Sequence, residues 1–210
     1  SNLATNSFIK KTGLNKTEIV TIHNGIDFDK FKRETSFYKN RTNKLNIIAI
    51  GSLNNRYKDF TTLIKAFKLI KEKIPYANLK LVGDGPDKIK LEKLCESLYV
   101  DKTIFLGFRH DIDRLLKESD IFISSSKIES FGLSIAEAMS SSVLVVATKS
   151  DGAMEVVKNK DILVSIGDYK GIFEKVLYLH NLTFQEKKKI VNRSRKRILN
   201  NFGLKQMTNK

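Results

Sequence analysis

The 210-residue chain is 41% apolar and 29% charged, an ordinary balance for a folded protein of one substantial α/β domain or two small ones. Its 38 Lys+Arg against 23 Asp+Glu give a formal charge of +15, which suits anionic partners such as nucleic acid or an anionic membrane surface. No run of about 18 apolar residues exists to span a bilayer. Ser1 to Lys11 lacks an apolar signal-peptide core, and the lone Cys95 excludes a disulfide within the chain, so a cytoplasmic protein is expected.

The first 44 residues are polar and weakly periodic, with one strand-like stretch, 18–22, before His23-Asn24-Gly25. We read residues 1–44 as a tail between domains plus this leading strand, and residues 45–210 as the folded domain. LNIIAI (45–50) is a continuous apolar run ending at Gly51, as a parallel strand buried on both faces would be. Asp59 then stands as an N-cap for a helix whose Phe60, Leu63, Ile64, Phe67 and Ile70 share one face. NLKLVG (78–83) reads as the second strand, broken at Asp84-Gly85-Pro86, and a helix follows over 87–98. TIFLG (103–107) is a third strand, and Asp111 caps a short helix through Leu116. DIFISSS (120–126) is a fourth strand, a helix spans about 133–141, and VLVVAT (143–148) is a fifth strand. ILVSI (162–166) reads as a sixth, with helices over 168–179 and 184–200. Strands alternating with helices at this spacing predict an α/β, Rossmann-like, doubly wound parallel sheet. Ligands of such sheets sit beyond the carboxyl ends of the strands, here the loops 51–58, 83–87, 107–111, 124–132 and 148–155.

The most informative segment runs from the fourth strand to the fifth. Glu129 lies in the loop, Phe131, Gly132 and Leu133 open the next helix, and Glu137 sits inside it. Eight residues at helical rise place the two carboxylates about 12 Å apart. A general acid/base pair on one glycosidic bond needs ~5–10 Å. The wider spacing suits the two ends of one extended polar ligand, with an anionic middle facing the free amides near Gly132. The alternative is a pair of solvated surface glutamates. Ala136, Ala138 and Met139 around Glu137 favour a buried carboxylate that needs a partner.

Glu129-Ser130-Phe131-Gly132-Leu133…Glu137-Ala138 resembles the E-x7-E motif of the group 1, family-four retaining glycosyltransferases of the GT-B fold. Five further segments keep that family's order. His23-Asn24-Gly25-Ile26-Asp27 resembles N-G-[IV]-D, and Gly51 with Lys58 resembles G-R-x…K-G. Leu81 to Pro86 resembles V-G-x-G-P, Phe105 to Phe108 resembles F-x-G, and Asp151 to Val157 resembles G-G-x-P-E-[VI]-[VI]. The resemblance covers about residues 18–200 and implies the C-terminal, donor-binding half of such an enzyme, without its N-terminal acceptor domain. Glu129 would hold hydroxyls of the donor sugar, and the amides of Phe131, Gly132 and Leu133 would lie near the sugar and diphosphate. Glu137 would take the ribose hydroxyls, and Lys58 would offset charge on the leaving diphosphate. Gly51 closes the first strand, Gly83 and Gly85 would line the nucleotide cleft, and the Gly107-Phe108-Arg109 loop would hold the base. The resemblance implies a nucleoside-diphosphate sugar donor, UDP by default, a glycan or lipid-linked acceptor, and no metal or cofactor.

The chain departs from the pattern at Ser52, where the family has Arg; Arg56 is the candidate substitute. Asp151 and Met154 replace a Gly and the Pro of G-G-x-P-E, while Glu155 is kept, as a site residue or a helix-start carboxylate. Other readings fit less well. No G-x-G-x-x-G follows the first strand, which argues against a dinucleotide dehydrogenase. Asp27-Phe28-Asp29 and Asp111-Ile112-Asp113 match the D-x-D of metal-dependent sugar transferases, but such matches are common. None of the three histidines stands at metal-ligand spacing; His23 and His110 read as loop residues and His180 as an exposed helix-end residue. Lys127, next to the Glu129 motif, reads as solvated, with a phosphate ligand as the alternative. The cluster Lys187-Lys188-Lys189, Arg193, Arg195, Lys196 and Arg197 reads as a solvated helix face, with acidic headgroups or phosphorylated substrates as the functional alternative. A non-catalytic nucleotide-sugar sensor or assembly module is the second class of function, and specific nucleic-acid binding, supported by charge alone, is not expected.

Overall fold

The computed structural model describes residues 2–15, 17, 19–32, 44–204 and 207. Six parallel strands form one sheet in the order β3-β2-β1-β4-β5-β6. They are β1 (Leu45–Ile50), β2 (Ala77–Val82), β3 (Thr103–Phe105), β4 (Ile121–Ser124), β5 (Leu144–Thr148) and β6 (Leu163–Val164). The order reverses between β1 and β4, so this is the doubly wound α/β sheet expected, and its carboxyl edge opens a crevice beside that switch. The central strands β4 and β5 are buried along their whole length, which is why they read as unbroken apolar runs.

Between the strands lie α2 (Phe60–Lys73), α3 (Lys88–Ser97), α4 (Ile112–Lys117), α5 (Leu133–Ser140) and α6 (Asp151–Val157). The chain closes with α7 (Tyr169–Asn181) and α8 (Phe184–Phe202). Helix α2 buries the stripe read from its spacing: Phe60, Leu63, Ile64, Phe67 and Ile70. Asp59 caps it, accepting from the Thr62 amide at 3.4 Å. Thr183 and Glu186 close a capping box on α8.

Several expectations fail, among them the loop over 148–155, where Asp151–Val157 form a helix, and the tail over 1–44. The leading strand over 18–22 is absent among the described residues 19–22, where Val20 and Ile22 lie exposed; Glu18 falls outside those described. The sheet offers this stretch no partner strand, and an unpaired strand does not persist in water. Upstream, Asn2–Thr12 forms a helix, α1, packed on α6, which the polar sequence concealed. Asp111 stands at the N-cap position of α4 without making a capping bond. Its carboxylate instead takes Arg109 Nε and Nη2, both at 2.8 Å, because a bidentate charge-assisted pair outweighs a bond to one backbone amide. Residues 26–31 join the core of the sheet: Ile26 and Phe31 are buried in it. The Ile26 amide donates to Phe202 O at 2.8 Å, beside an isolated parallel bridge from Ile26 to Gly203.

The carboxyl edge of the sheet is held by backbone contact. Gly83 N donates to Gly107 O at 2.8 Å, and Leu53 N to Asp84 O at 2.9 Å. A Cβ on Gly83 (φ +129°) would lie 2.0 Å from Gly51 O, and one on Gly85 would lie 2.7 Å from Leu53 O. These glycines let the loops after β1 and β2 stack directly. By contrast, Gly107 (φ +65°) has open space where its Cβ would be. Gly83→Ala should therefore destabilise the fold by roughly 2–5 kcal/mol and Gly107→Ala by only about 1–2 kcal/mol, compared through their urea-denaturation midpoints.

Candidate active site

The loop after β1 and the loop after β4 meet at the switch point. Ser125 Oγ donates to Lys58 O at 2.8 Å, and the amides of Lys127 and Ile128 donate to Tyr57 O at 2.7 and 3.2 Å. This backbone seam brings Lys58 Nζ to within 2.5 Å of Glu129 Oε2. Both side chains are largely buried, at 23% and 14% exposure, so the pair is shielded from screening by water. Gly51 makes room for it: a Cβ there would press on Lys58 Cε at 3.3 Å.

Helix α5 begins beside this pair. Gly132 stands at its N-cap position in the left-handed region (φ 91°) and supplies no side-chain cap. The first amides of α5, including that of Leu133, find no partner among the described residues. A helix start left open in this way, next to a lysine, suits a negatively charged group. Phe131 is buried beneath it. On the far side, Gly152 at the start of α6 donates its amide to Glu129 O at 2.7 Å, and a Cβ there would lie 2.6 Å from Phe131 N. The glycine kept from G-G-x-P-E thus works by letting α6 abut the Glu129 loop.

Glu137 is half-buried on α5, and its carboxylate makes no hydrogen bond among the described residues. Desolvation pushes its carboxyl up to about 7, only partly offset by the Lys30 ammonium. It is the partnerless carboxylate that the apolar residues around it led us to expect.

The remaining candidates are placed as follows. Ser52 and Arg56 lie exposed on the loop after β1, with the Arg56 guanidinium over the Tyr57 ring at 5.6 Å. Phe108 is 71% exposed at the end of β3, edge-on to His110 at 4.9 Å between ring centres. Arg109 is occupied by Asp111, which that guanidinium holds down at about 2. The two D-x-D matches are likewise spent locally. Asp111 serves Arg109 and Asp113 pairs with Lys117 at 3.2 Å, while Asp27 caps a turn through the amides of Asp29 and Lys30. No group of three or more metal-ligating side chains occurs among the described residues.

Several functional-looking contacts escaped the sequence reading. His23 Nε2 lies 2.6 Å from Glu155 Oε1, with its ring against Phe131 and Phe202 at 6.2 and 5.4 Å. The partners are 132 residues apart, so no local spacing announced them; His23 was read as a loop residue, and only the kept Glu155 hinted at a role. Asn55 Nδ2 is buried without a partner among the described residues, while its Oδ1 accepts from the Thr61 amide at 3.1 Å. Lys127, read as solvated, reaches Asp59 at 3.5 Å and Asn55 O at 3.3 Å. His180 bonds the Tyr76 hydroxyl at 3.1 Å instead of standing free. Arg195 and Arg197, read as part of a solvated face, donate to Ser140 O and to Glu155 O and Val156 O, at 2.7–2.9 Å. These carbonyls end α5 and α6, where a cation is favoured by the helix dipole.

Comparison with known proteins agrees with this geometry. The family model for glycosyl transferases group 1 matches residues 31–197. The chain belongs to this family. Among curated relatives, N-acetyl-alpha-D-glucosaminyl L-malate synthase of Bacillus anthracis is 31% identical over 169 residues, covering 77% of this chain and 44% of its own. The lipopolysaccharide core biosynthesis glycosyltransferase LpsE of Rhizobium meliloti is 32% identical over 128 residues, covering 60% of this chain and 36% of its own. The chain thus spans less than half of either relative. Among solved structures, Anabaena Alr3699/HepE in complex with UDP-glucose superposes with a TM-score of 0.86 at 25% identity, over 100% of this chain and 60% of that one. The C-terminal domain of the group 1 protein LpcC from Francisella tularensis shares the fold, with a TM-score of 0.72 at 24% identity, over 86% of this chain and 100% of that domain. The architecture is the Rossmann-like half of a GT-B glycosyltransferase.

The raised carboxyl of Glu137 carries a consequence for stability. Its folded value, about 7, exceeds the ordinary 4.5, so between these values the folded state holds the proton that the unfolded state releases. Stability from this group is complete below about pH 4.5 and falls as pH rises to about 7, by up to roughly 3 kcal/mol. Glu137→Gln should flatten this part of the profile, seen by urea denaturation at pH 5 and pH 8.

Proposed function

We propose that the chain is the donor-binding part of a retaining glycosyltransferase. It would move a hexose-type sugar from a nucleoside-diphosphate sugar, a UDP-sugar above all, to a glycan or lipid-linked acceptor. The observation that carries the reading is the Lys58–Glu129 pair beside the open amino end of α5. Three kinds of group lie along one edge of the sheet: a cation, a row of free amides and a hydrogen-bond-accepting carboxylate. A sugar diphosphate needs all three.

In this reading Glu129 accepts hydrogen bonds from sugar hydroxyls, and the amides of Phe131, Gly132 and Leu133 face the diphosphate. As the bond between sugar and diphosphate breaks, the departing diphosphate gathers negative charge, and Lys58 with the α5 terminus stabilises it. Arg56, exposed on the same loop and with no carboxylate partner among the described residues, takes the place of the family arginine lost at Ser52. Glu137 receives the ribose hydroxyls, and the exposed ring of Phe108 offers the base a face on which to stack. No metal ion takes part, since the cationic groups and the helix start carry the diphosphate charge. UDP is favoured because the Anabaena neighbour binds UDP-glucose and Staphylococcus aureus TarM was solved with UDP. By itself the 210-residue chain is expected to bind donor without transferring the sugar, since it spans less than half of the curated relatives named above. We place the protein in the cytoplasm, at the inner face of the membrane.

Titrating the chain with UDP, GDP, UDP-glucose and a DNA duplex tests this. Nucleoside diphosphates should bind, with Lys58→Ala weakening UDP roughly 10–100-fold and Glu137→Ala about 2–10-fold. Tight, salt-sensitive DNA binding with no nucleotide binding would overturn the reading.

A further inference from the structure

A second concave site lies away from the donor edge. A cavity of about 500 Å³ opens between α8, α7 and the turn that joins α6 to β6. Its walls carry Lys158, Lys189, Arg193, Lys196 and Arg197, with Asp161 as the one acid among the lining residues. Arg197 is held by the α6 carbonyls; the other four make no carboxylate ion pair among the described residues. Like charges gathered in one hollow repel each other, which is tolerable only if counter-ions or an anionic ligand collect there.

The position separates this cleft from the donor groove. Lys158 ends α6 in a left-handed conformation (φ 56°), and Asn159 to Ile162 lead into β6. They stand at the amino edge of a parallel sheet whose carboxyl edge holds Lys58 and Glu129. Along α8, Lys189, Arg193 and Lys196 follow one another at intervals of four and three, so they project from one exposed face. With Asn200 this face extends about 16 Å. Tyr178, 51% exposed, lines the same hollow, and Leu199, 48% exposed, precedes the lining residue Asn200 on α8.

We propose that this cleft seats the phosphate headgroups of an anionic membrane surface. The cations are spread along a line longer than one phosphate, which fits several headgroups in a plane better than a single soluble anion. Exposed Tyr178 and Leu199 beside the cations serve a lipid interface, where an aromatic with a polar tip and an apolar side chain both find a place. A nucleic acid backbone would leave Leu199 unused. This inference stands apart from the donor site and does not rest on it.

Co-sedimentation of the chain with phosphatidylcholine vesicles, with and without phosphatidylglycerol, is the test. Two triple variants of equal charge are compared: Lys189→Gln/Arg193→Gln/Lys196→Gln in the cleft, and Lys65→Gln/Lys68→Gln/Lys90→Gln on exposed positions of α2 and α3. The protein should bind only vesicles that contain phosphatidylglycerol. The cleft variant should lose about a hundredfold in affinity and the control only a few-fold. Unchanged UDP binding in the cleft variant would show that it is folded and would keep this result separate from the donor reading. Three outcomes overturn the proposal. The control variant loses as much as the cleft variant; soluble glycerol phosphate binds the cleft while vesicles do not; or a DNA duplex outcompetes the vesicles.

Discussion

Lys58 and Glu129 hold each other across the seam between two loops, one from each side of the point where the sheet changes direction. Neither charge could sit there alone, because an uncompensated ion so far out of water costs several kcal/mol. The surrounding structure is arranged so that both loops arrive together. Stacked backbone after β1 and β2 fixes the first loop from beneath, and hydrogen bonds to Tyr57 O and Lys58 O tie the second loop to it. Since each member compensates the other, an arriving anionic ligand can draw the lysine while its hydroxyls occupy the carboxylate. Each charge is thus satisfied by the other.

Around that pair, backbone and side chain divide the work. Glycines stand where one backbone touches another: Gly83 on Gly51, Gly85 on Leu53, Gly152 on Phe131. Arginines stand where helices end, Arg195 on α5 and Arg197 on α6. The same two helices that flank the Glu129 loop at their amino ends are thus pinned at their carboxyl ends by α8. A long, highly charged terminal helix serves as a clamp on the site through two of its side chains.

Much of this was legible in the sequence because parallel strands are buried on both faces. Runs such as LNIIAI and VLVVAT have no other use, and α2 declares its buried stripe by spacing alone. The order of the motifs placed Lys58 and Glu129 in loops at the carboxyl edge and Glu137 inside the helix that follows, and the spacing of the two glutamates suggested an elongated ligand. What stayed hidden is of three kinds. Helix α1 has too little apolar periodicity to announce itself, since it lies on α6 instead of filling the core. The His23–Glu155 contact joins distant parts of the chain, which no local pattern encodes. The arginines of α8 look alike in sequence, and only the fold decides that Arg195 and Arg197 turn inward to carbonyls while Arg193 and Lys196 face solvent.

The bridge between Ile26 and Gly203 has a mechanical consequence. It joins the stretch leading into the sheet with the one leaving α8, next to the aromatic cluster of His23, Phe131 and Phe202. Gly25 is pressed so closely on Leu204 that a Cβ would lie 2.9 Å from its Cα. Both stretches of polypeptide meet at this one point, and the ring of Phe131, edge-on to Phe202 at 5.3 Å, joins it to the residues that precede α5. The path of the flanking chain and the start of α5 therefore rest on one shared aromatic cluster.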